Sequence, residues 1–142
     1  EFNDFDQYNG HPTPGMAGAQ FHYHIEPLCL TDKYGSDGLG GFLLDGFPIY
    51  GSNGCLDAAC EDVVTFTSGW VQTGDPTTNA WDNYEFQASD DETVLDECNG
   101  RIGPDGTYRY YITETFPYTI ACYAGTPTAQ SGAAAEAMPA MS

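Results

Sequence analysis

The chain has very few basic residues. Its 142 residues contain 3 lysine and arginine side chains against 21 aspartate and glutamate side chains, a formal net charge of −18. Binding to a nucleic-acid backbone requires a basic surface, so this charge excludes a nucleic-acid-binding protein and disfavours docking on anionic lipid. No apolar run reaches the roughly 18 residues that a membrane-spanning helix needs. We therefore expect neither nucleic acid as a partner nor insertion into a membrane.

Motifs of common catalytic sites are also missing. The sequence contains no Gly-x-Ser-x-Gly, no His-Glu-x-x-His and no phosphate-binding glycine loop. Glycosidases use a pair of carboxylates, but with 21 acids in the chain such pairs are expected by chance. We expect a non-enzymatic protein, and an enzyme acting on neutral sugars remains the open alternative.

Five cysteines are present, and none of them forms a Cys-x-x-Cys motif. Because so many cysteines in a chain nearly without lysine are typical of oxidising compartments, we expect a secreted, extracellular or cell-surface protein with disulfides. Cys55 and Cys60 can close a small local loop. Among Cys29, Cys98 and Cys122 one further pair is expected, with Cys98 and Cys122 as the candidate residues. The fifth cysteine is then buried and free or bonded between chains.

The composition favours a mainly β protein. Aromatic residues make up 14% of the chain, and 17 glycines and 9 prolines interrupt it at short intervals. Alternating or β-branched segments predict strands over residues 21–25, 42–44, 47–50, 63–67, 70–72, 107–113 and 118–123, with a turn at Asp45-Gly46 and a short helix over 56–61. We expect one compact domain, a sandwich or open barrel with short strands and long loops.

The chain divides into three regions by composition. Residues 1–20 are polar and rich in glycine and proline, which predicts an extended N-terminal arm. Residues 21–125 carry the predicted strands and form the β domain. Residues 126–142 are a low-complexity tail, which has too little apolar surface to fold on itself.

Three segments together resemble the YHYH-domain family. They are Phe21-His-Tyr-His-Ile-Glu-Pro27, Leu44-Asp-Gly-Phe-Pro-Ile-Tyr-Gly51, and a C-terminal signature from Leu95 through Tyr108-Arg-Tyr-Tyr-Ile-Thr113 to Gly125. Their order and spacing agree with the family over residues 21–125. The resemblance implies a fold and a secreted or surface-attached location more than an activity.

The second signature departs from the family pattern, because Arg109 and Tyr111 stand where histidines are typical. Residues two apart on a strand share a face, so His22 and His24 point the same way. They are candidate ligands for copper or zinc, with His11 as a possible third. A four-histidine centre is excluded because arginine cannot be a ligand.

The alternative is a structural polar network. In it the histidines bond Asp45, Asp96 or the backbone, and Arg109 forms a buried ion pair with Asp96 or Glu97.

Calcium is the favoured metal if a cation is bound. Oxygen ligands in glycine-rich loops suit Ca²⁺, and the loop with Asp75, Asn79 and Asp82 is the best candidate. The alternative is a solvated acidic surface. Glycans are a further candidate partner, O-linked beside the prolines or stacked on exposed rings of Tyr8, Trp70, Trp81 and Tyr84. Such rings in a β protein more often form core pairs.

Two functions from different classes follow. The first is a secreted structural module that associates with copies of itself into a fibre or surface layer, held by exchange of arm or tail and by cations. Its arm carries Phe2, Phe5 and Tyr8 at a spacing of three, suited to lie in a groove of the next subunit. The second is a metal-binding module or metalloenzyme centred on His22 and His24.

Overall fold

The protein is described by a computed structural model that covers residues 37–128, residue 7 and the backbone of residues 10–12 and 21–23. Within the described residues ten short strands follow one another, and a 3₁₀ turn lies at Trp81–Asn83. They are β1 (Gly10–Pro12), β2 (Phe21–Tyr23), β3 (Leu39–Phe42), β4 (Pro48–Tyr50), β5 (Asn53–Cys55), β6 (Val63–Thr65), β7 (Trp70–Gln72), β8 (Tyr84–Phe86), β9 (Gly100–Ile102) and β10 (Tyr108–Tyr111). The mainly β fold expected from the sequence is confirmed. Within the described residues no helix is long and apolar enough to cross a bilayer.

The largest sheet has four strands in the order β3-β4-β10-β9. Strands β3 and β4 pair antiparallel, β4 and β10 pair parallel, and β10 and β9 pair antiparallel. The pairs β1–β2, β5–β6 and β7–β8 are separate antiparallel ribbons. The parallel pair joins segments that lie far apart in the sequence, so this sheet organises the fold.

Strand β10 packs against a different cluster of side chains on each face. On one face Tyr110 contacts Ile49, Cys98 and Ile112, and on the other Tyr111 contacts Phe66 and Leu95. Alternation with a period of two places neighbouring tyrosines on opposite faces. Both tyrosines are almost completely buried, so β10 is the centre of the core.

Tight turns join the strands of the main sheet. Gly46 has a φ of 86° in the predicted Asp45-Gly46 turn between β3 and β4, and Gly106 has a φ of 80° in the turn between β9 and β10. An L side chain rarely adopts these angles, so both turns favour glycine. The β3–β4 ladder has an irregularity between Leu39 and Gly41, where its register shifts.

Two disulfides are present among the described residues, as expected. Cys55–Cys60 closes the loop that follows β5, and Cys98–Cys122 joins the segment before β9 to the C-terminal segment. Cys29 lies outside the described residues.

The strand expected over 118–123 is wrong. This segment forms bends instead, beginning after the cis peptide bond between Phe116 and Pro117 and with Tyr118 at a φ of 65°. Its backbone groups bond other partners: the Asn99 side chain donates to Thr119 O, and Ala121 N donates to Cys98 O. The chain therefore crosses the end of the sheet rather than adding a strand to it.

The short helix expected over 56–61 is also absent. The Asp57 carboxylate accepts hydrogen bonds from the backbone N–H groups of Ala59 and Cys60, and the disulfide closes the loop. A side chain that bonds the local backbone competes with helical hydrogen bonds, which explains the turn. Strands β1, β5, β8 and β9 were not predicted from the sequence, and β3 spans Leu39–Phe42 rather than the expected 42–44.

Candidate functional site

The face of β10 that carries Tyr108 and Tyr110 binds two aspartates. The Tyr110 hydroxyl donates a short hydrogen bond to Asp45 Oδ2 and accepts one from Ala124 N at 2.7 Å. Asp45 Oδ2 also accepts from Gly125 N at 3.2 Å. The network thus fastens the C-terminal segment to the β3–β4 turn.

Asp96 forms the second tyrosine–carboxylate pair. The Tyr108 hydroxyl lies 3.0 and 2.9 Å from the two carboxylate oxygens of Asp96. Asp96 Oδ1 also accepts from the backbone N–H groups of Cys98 and Gly100, each at 3.0 Å. This carboxylate therefore holds the turn that leads into β9.

The two tyrosines stay protonated well above neutral pH. Burial raises the pKa of Tyr108 and of Tyr110 far above the ordinary value of 10.0, and the carboxylates of Asp96 and Asp45 raise it further. A hydrogen bond from a neutral phenol to a carboxylate is lost when the phenol ionises.

This linkage predicts a loss of stability in alkali. Because the folded-state pKa is raised, the stability that each phenol contributes is complete below the ordinary pKa of 10.0 and declines as the pH rises above it. The free energy of unfolding, measured in urea on either side of that pH, should fall less steeply in Tyr108→Phe and Tyr110→Phe than in the parent protein. Tyr123→Phe, an exposed control, should retain the full slope; equal slopes in all variants would contradict the linkage.

The opposite face of β10 carries Arg109, and the expected network is corrected here. Arg109 pairs with Asp105, with Nη2 3.0 Å from Oδ2, and not with Asp96 or Glu97. Strand alternation gives the reason: Asp96 binds Tyr108, on the face that Arg109 does not share. The Arg109 guanidinium lies 4.5 Å from the centre of the Tyr50 ring.

Arg101, which the sequence analysis did not single out, lies directly opposite Arg109 in the β9–β10 ladder. Its guanidinium lies 5.2 Å from the centre of the Phe66 ring, and Nη2 is 3.5 Å from Leu56 O. The scarcity of basic residues could have identified Arg101 from the sequence, because Arg101 and Arg109 are two of only three lysine and arginine residues.

Exposed apolar side chains lie on β3 and in the turn that follows it. Phe42 is 70% exposed, Leu39 47% and Leu44 38%. Strand β3 ends the sheet, and no strand of the described residues pairs with its outer side. We call Leu39, Phe42 and Leu44 the β3 edge patch.

The candidate calcium loop is organised by its own hydrogen bonds. Asp75 accepts from Thr77 N at 3.0 Å, which lowers the pKa of its carboxyl group, and Asn79 Nδ2 donates to Asp82 Oδ2 at 2.8 Å. The loop brings Asn79 and Asp82 together but turns an amide N–H, which cannot ligate, toward the carboxylate. In the described part of the chain no three histidine, cysteine or acidic residues form a group that could hold a metal. Calcium binding stays a prediction.

The candidate copper or zinc ligands lie near the N-terminus. In the β1–β2 ladder, His11 and His22 are directly paired positions. Strand β10, which carries the second signature, pairs with β4 and β9 and not with β2. His24 lies outside the described residues, as do Phe2, Phe5 and Tyr8 of the arm, so transition-metal binding stays a prediction.

Three of the rings considered for glycans, those of Trp70, Trp81 and Tyr84, lie in one aromatic cluster. Tyr84 stacks on Phe116 with ring centres 4.3 Å apart, and Trp81 meets the same ring edge-on at 4.7 Å. Trp70 contacts Trp81 and Phe116 and donates from Nε1 to Glu97 O. These contacts attach the β7–β8 ribbon to the rest of the domain, and glycan binding stays a prediction.

A family model described as YHYH protein matches residues 2–125. No curated protein and no solved structure matches the chain.

Proposed function

The chain belongs to the YHYH protein family, and from this premise we propose that it is a secreted, non-enzymatic module that associates with copies of itself in an extracellular layer or fibre. The observation that carries the proposal is the β3 edge patch, with Phe42 70% exposed at the end of the main sheet. Sheet edges with exposed apolar side chains are sites for contact with another chain.

We expect the contact between copies to be formed by side chains rather than by a long ladder of backbone hydrogen bonds. The register shift between Leu39 and Gly41 interrupts the regular edge of β3, and irregular edges resist strand addition. The side chains at the patch lie on one short segment and can cover a narrow apolar stretch of a neighbour. The opposite edge, β9, is partly closed because Asp96 bonds both backbone groups of Gly100.

The N-terminal arm of a neighbouring copy is the proposed occupant. Residues 1–9 lie before β1, and this segment spans about 30 Å when extended. They include Phe2, Phe5 and Tyr8, whereas residues 10–12 already pair with β2 of their own chain. The tail begins on its own domain, because Thr128 bonds Leu44 O through both N and Oγ1.

The charge of −18 makes the association depend on cations. Copies of the same acidic chain repel one another, and the repulsion falls as salt screens it. We therefore propose that divalent cations support the assembly, and the two disulfides support an extracellular setting.

Phe42→Lys tests the patch. A lysine on this edge should reduce the weight-average mass in sedimentation velocity toward that of the 15.3 kDa chain, because it buries no apolar surface and its charge is costly to desolvate. Val63→Lys is the matched control: Val63 is 60% exposed, but it lies on β6, outside the main sheet. Equal effects of the two substitutions would show that added charge, not the patch, controls association.

A further inference from the structure

Two of the three basic residues of this acidic chain are direct neighbours. Arg101 and Arg109 are paired positions in the antiparallel β9–β10 ladder. Like charges directly opposite each other destabilise a ladder unless something offsets their repulsion. The chain has 21 acidic residues that could form an opposite-charge pair, but the residue opposite each of these arginines in the ladder is the other arginine.

The hydrogen-bonding capacity of both guanidiniums is only partly used. Asp105 pairs with only one nitrogen of Arg109, Nη2. The Asp105 side chain is 59% exposed at the β9–β10 turn. Arg109 Nε and Arg101 Nη1 are buried and have no hydrogen-bond partner in the part of the chain that the structure describes. A carboxylate normally engages two N–H groups of an arginine in parallel, so the Asp105 pair leaves half of that arrangement unused.

A third unpartnered polar group lies beside them. Tyr111 is 1% exposed, and its hydroxyl has no hydrogen-bond partner among the described residues. Burial raises the pKa of this phenol. The Arg109 guanidinium, through its charge and its closeness to the hydroxyl, and the charge of Arg101 partly oppose the rise, which places the hydroxyl beside Arg109 and within the field of both. A buried polar group without a hydrogen-bond partner destabilises the fold, and three such groups occur on this face of the described residues.

The chemistry of these groups defines the ligand. Arginine N–H groups can only donate, and a phenol can donate, so the complement is an anion with several acceptor oxygens. Tyr50 and Phe66 lie against the two guanidiniums and leave their planar edges as the bonding surfaces. A planar carboxylate fits such an edge better than a point charge does.

We propose that Arg101, Arg109 and Tyr111 form a carboxylate-binding site, in which the ligand displaces Asp105 from Arg109. The carboxylate takes the Nε and Nη2 edge of Arg109, and Arg101 supplies the second positive charge. Asp105 is an internal competitor that closes the site when no ligand is bound. The carboxylate comes from a free small acid or from an acidic side chain of a second copy.

The two arginines allow a direct test by nuclear magnetic resonance. The ¹⁵N-labelled full chain has only two arginine Nε–Hε signals, which Arg101→Lys assigns. Sodium acetate is exchanged for sodium chloride at constant ionic strength, so that general screening does not change. The Arg109 Nε–Hε signal should shift and saturate. Signals that stay unmoved, or that drift linearly without saturation, would overturn the proposal.

Removing the competitor should strengthen binding. Asp105→Asn should lower the apparent dissociation constant for acetate about twofold to fivefold, the range expected when an exposed ion pair no longer competes. Asp91→Asn is the matched control, because Asp91 caps Thr93 N as Asp105 caps Thr107 N and the charge changes equally. An equal gain in both variants would assign the effect to net charge and overturn the role of Asp105.

Tyr111→Phe keeps the test valid if an arginine variant fails to fold. Loss of an unpartnered buried hydroxyl should leave the stability without acetate unchanged or higher, while acetate binding weakens several-fold. Unchanged acetate binding in this variant would remove Tyr111 from the site.

The same arginine Nε–Hε signals distinguish a carboxylate of a free acid from one of a second copy. If it belongs to a second copy, the Arg109 signal shifts with protein concentration alone, together with the sedimenting mass, and acetate reverses both. If it is a free acid, acetate shifts the signal while the mass stays constant. The proposal does not rest on the β3 edge patch, so failure of Phe42→Lys leaves it unaffected.

Discussion

Replacing Asn99 by alanine is expected to lower the free energy of unfolding by about 4 kcal/mol. The Asn99 side chain is completely buried, and its Nδ2 donates to Tyr111 O at 2.9 Å, Thr113 Oγ1 at 3.1 Å and Thr119 O at 2.7 Å. Alanine leaves these three acceptors without that donor. One amide thereby joins the end of β10 to the segment that crosses the sheet.

The backbone at Asn99 adds a second contribution that a glycine variant separates. Asn99 has a φ of 68°, a left-handed conformation that asparagine tolerates and alanine does not. Asn99→Gly should therefore lose about 1 kcal/mol less stability than Asn99→Ala. Urea unfolding with the disulfides intact measures both. Asn79→Ala, which removes an exposed amide bond to Asp82, should cost well under half as much.

If Asn99→Ala and Asn79→Ala were equally stable, the buried amide of Asn99 would not be a main contributor to the free energy of unfolding. If Asn99→Gly lost as much stability as Asn99→Ala, the hydrogen bonds alone would account for the whole effect.

Removal of the Cys98–Cys122 disulfide is expected to cost about 3 kcal/mol, compared with about 2 kcal/mol for Cys55–Cys60. The bonded cysteines are separated by 24 residues in the first case and by 5 in the second. A longer closed loop removes more conformational freedom from the unfolded chain.

Two double variants test this difference by urea unfolding: one replaces Cys98 and Cys122 by alanine, and the other replaces Cys55 and Cys60. Both leave Cys29 unchanged, so each variant keeps the same fifth cysteine. The Cys98 and Cys122 replacement should also loosen the bond from Ala124 N to the Tyr110 hydroxyl, which lies just beyond the lost crosslink. A greater loss on removing Cys55–Cys60 would contradict the ranking.

Local chemistry explains what could be predicted from the sequence. The alternation around Tyr108–Tyr111 predicted a strand, and the Asp45-Gly46 pair predicted the turn that joins β3 and β4. Both signals lie within a few residues of the structure that they specify. The cysteine content likewise indicated disulfides, because compartment and composition are linked.

Long-range pairing explains what could not be predicted. The parallel contact of β10 with β4 joins residues 110 and 49, and no local pattern encodes such a pairing. The partner of Arg109 depended on which face Asp96 would reach, and that face is set by the bond from Tyr108. The segment over 118–123 has the residue types of a strand, but Asn99 and Cys98 bond its backbone instead.

The most direct test of the proposed self-association is the mass of the native protein in solution, measured by multi-angle light scattering with added calcium and with excess chelator. We expect a mass well above 15.3 kDa that decreases when the chelator removes divalent cations. A monomer of 15.3 kDa under both conditions, at every protein concentration, would contradict it.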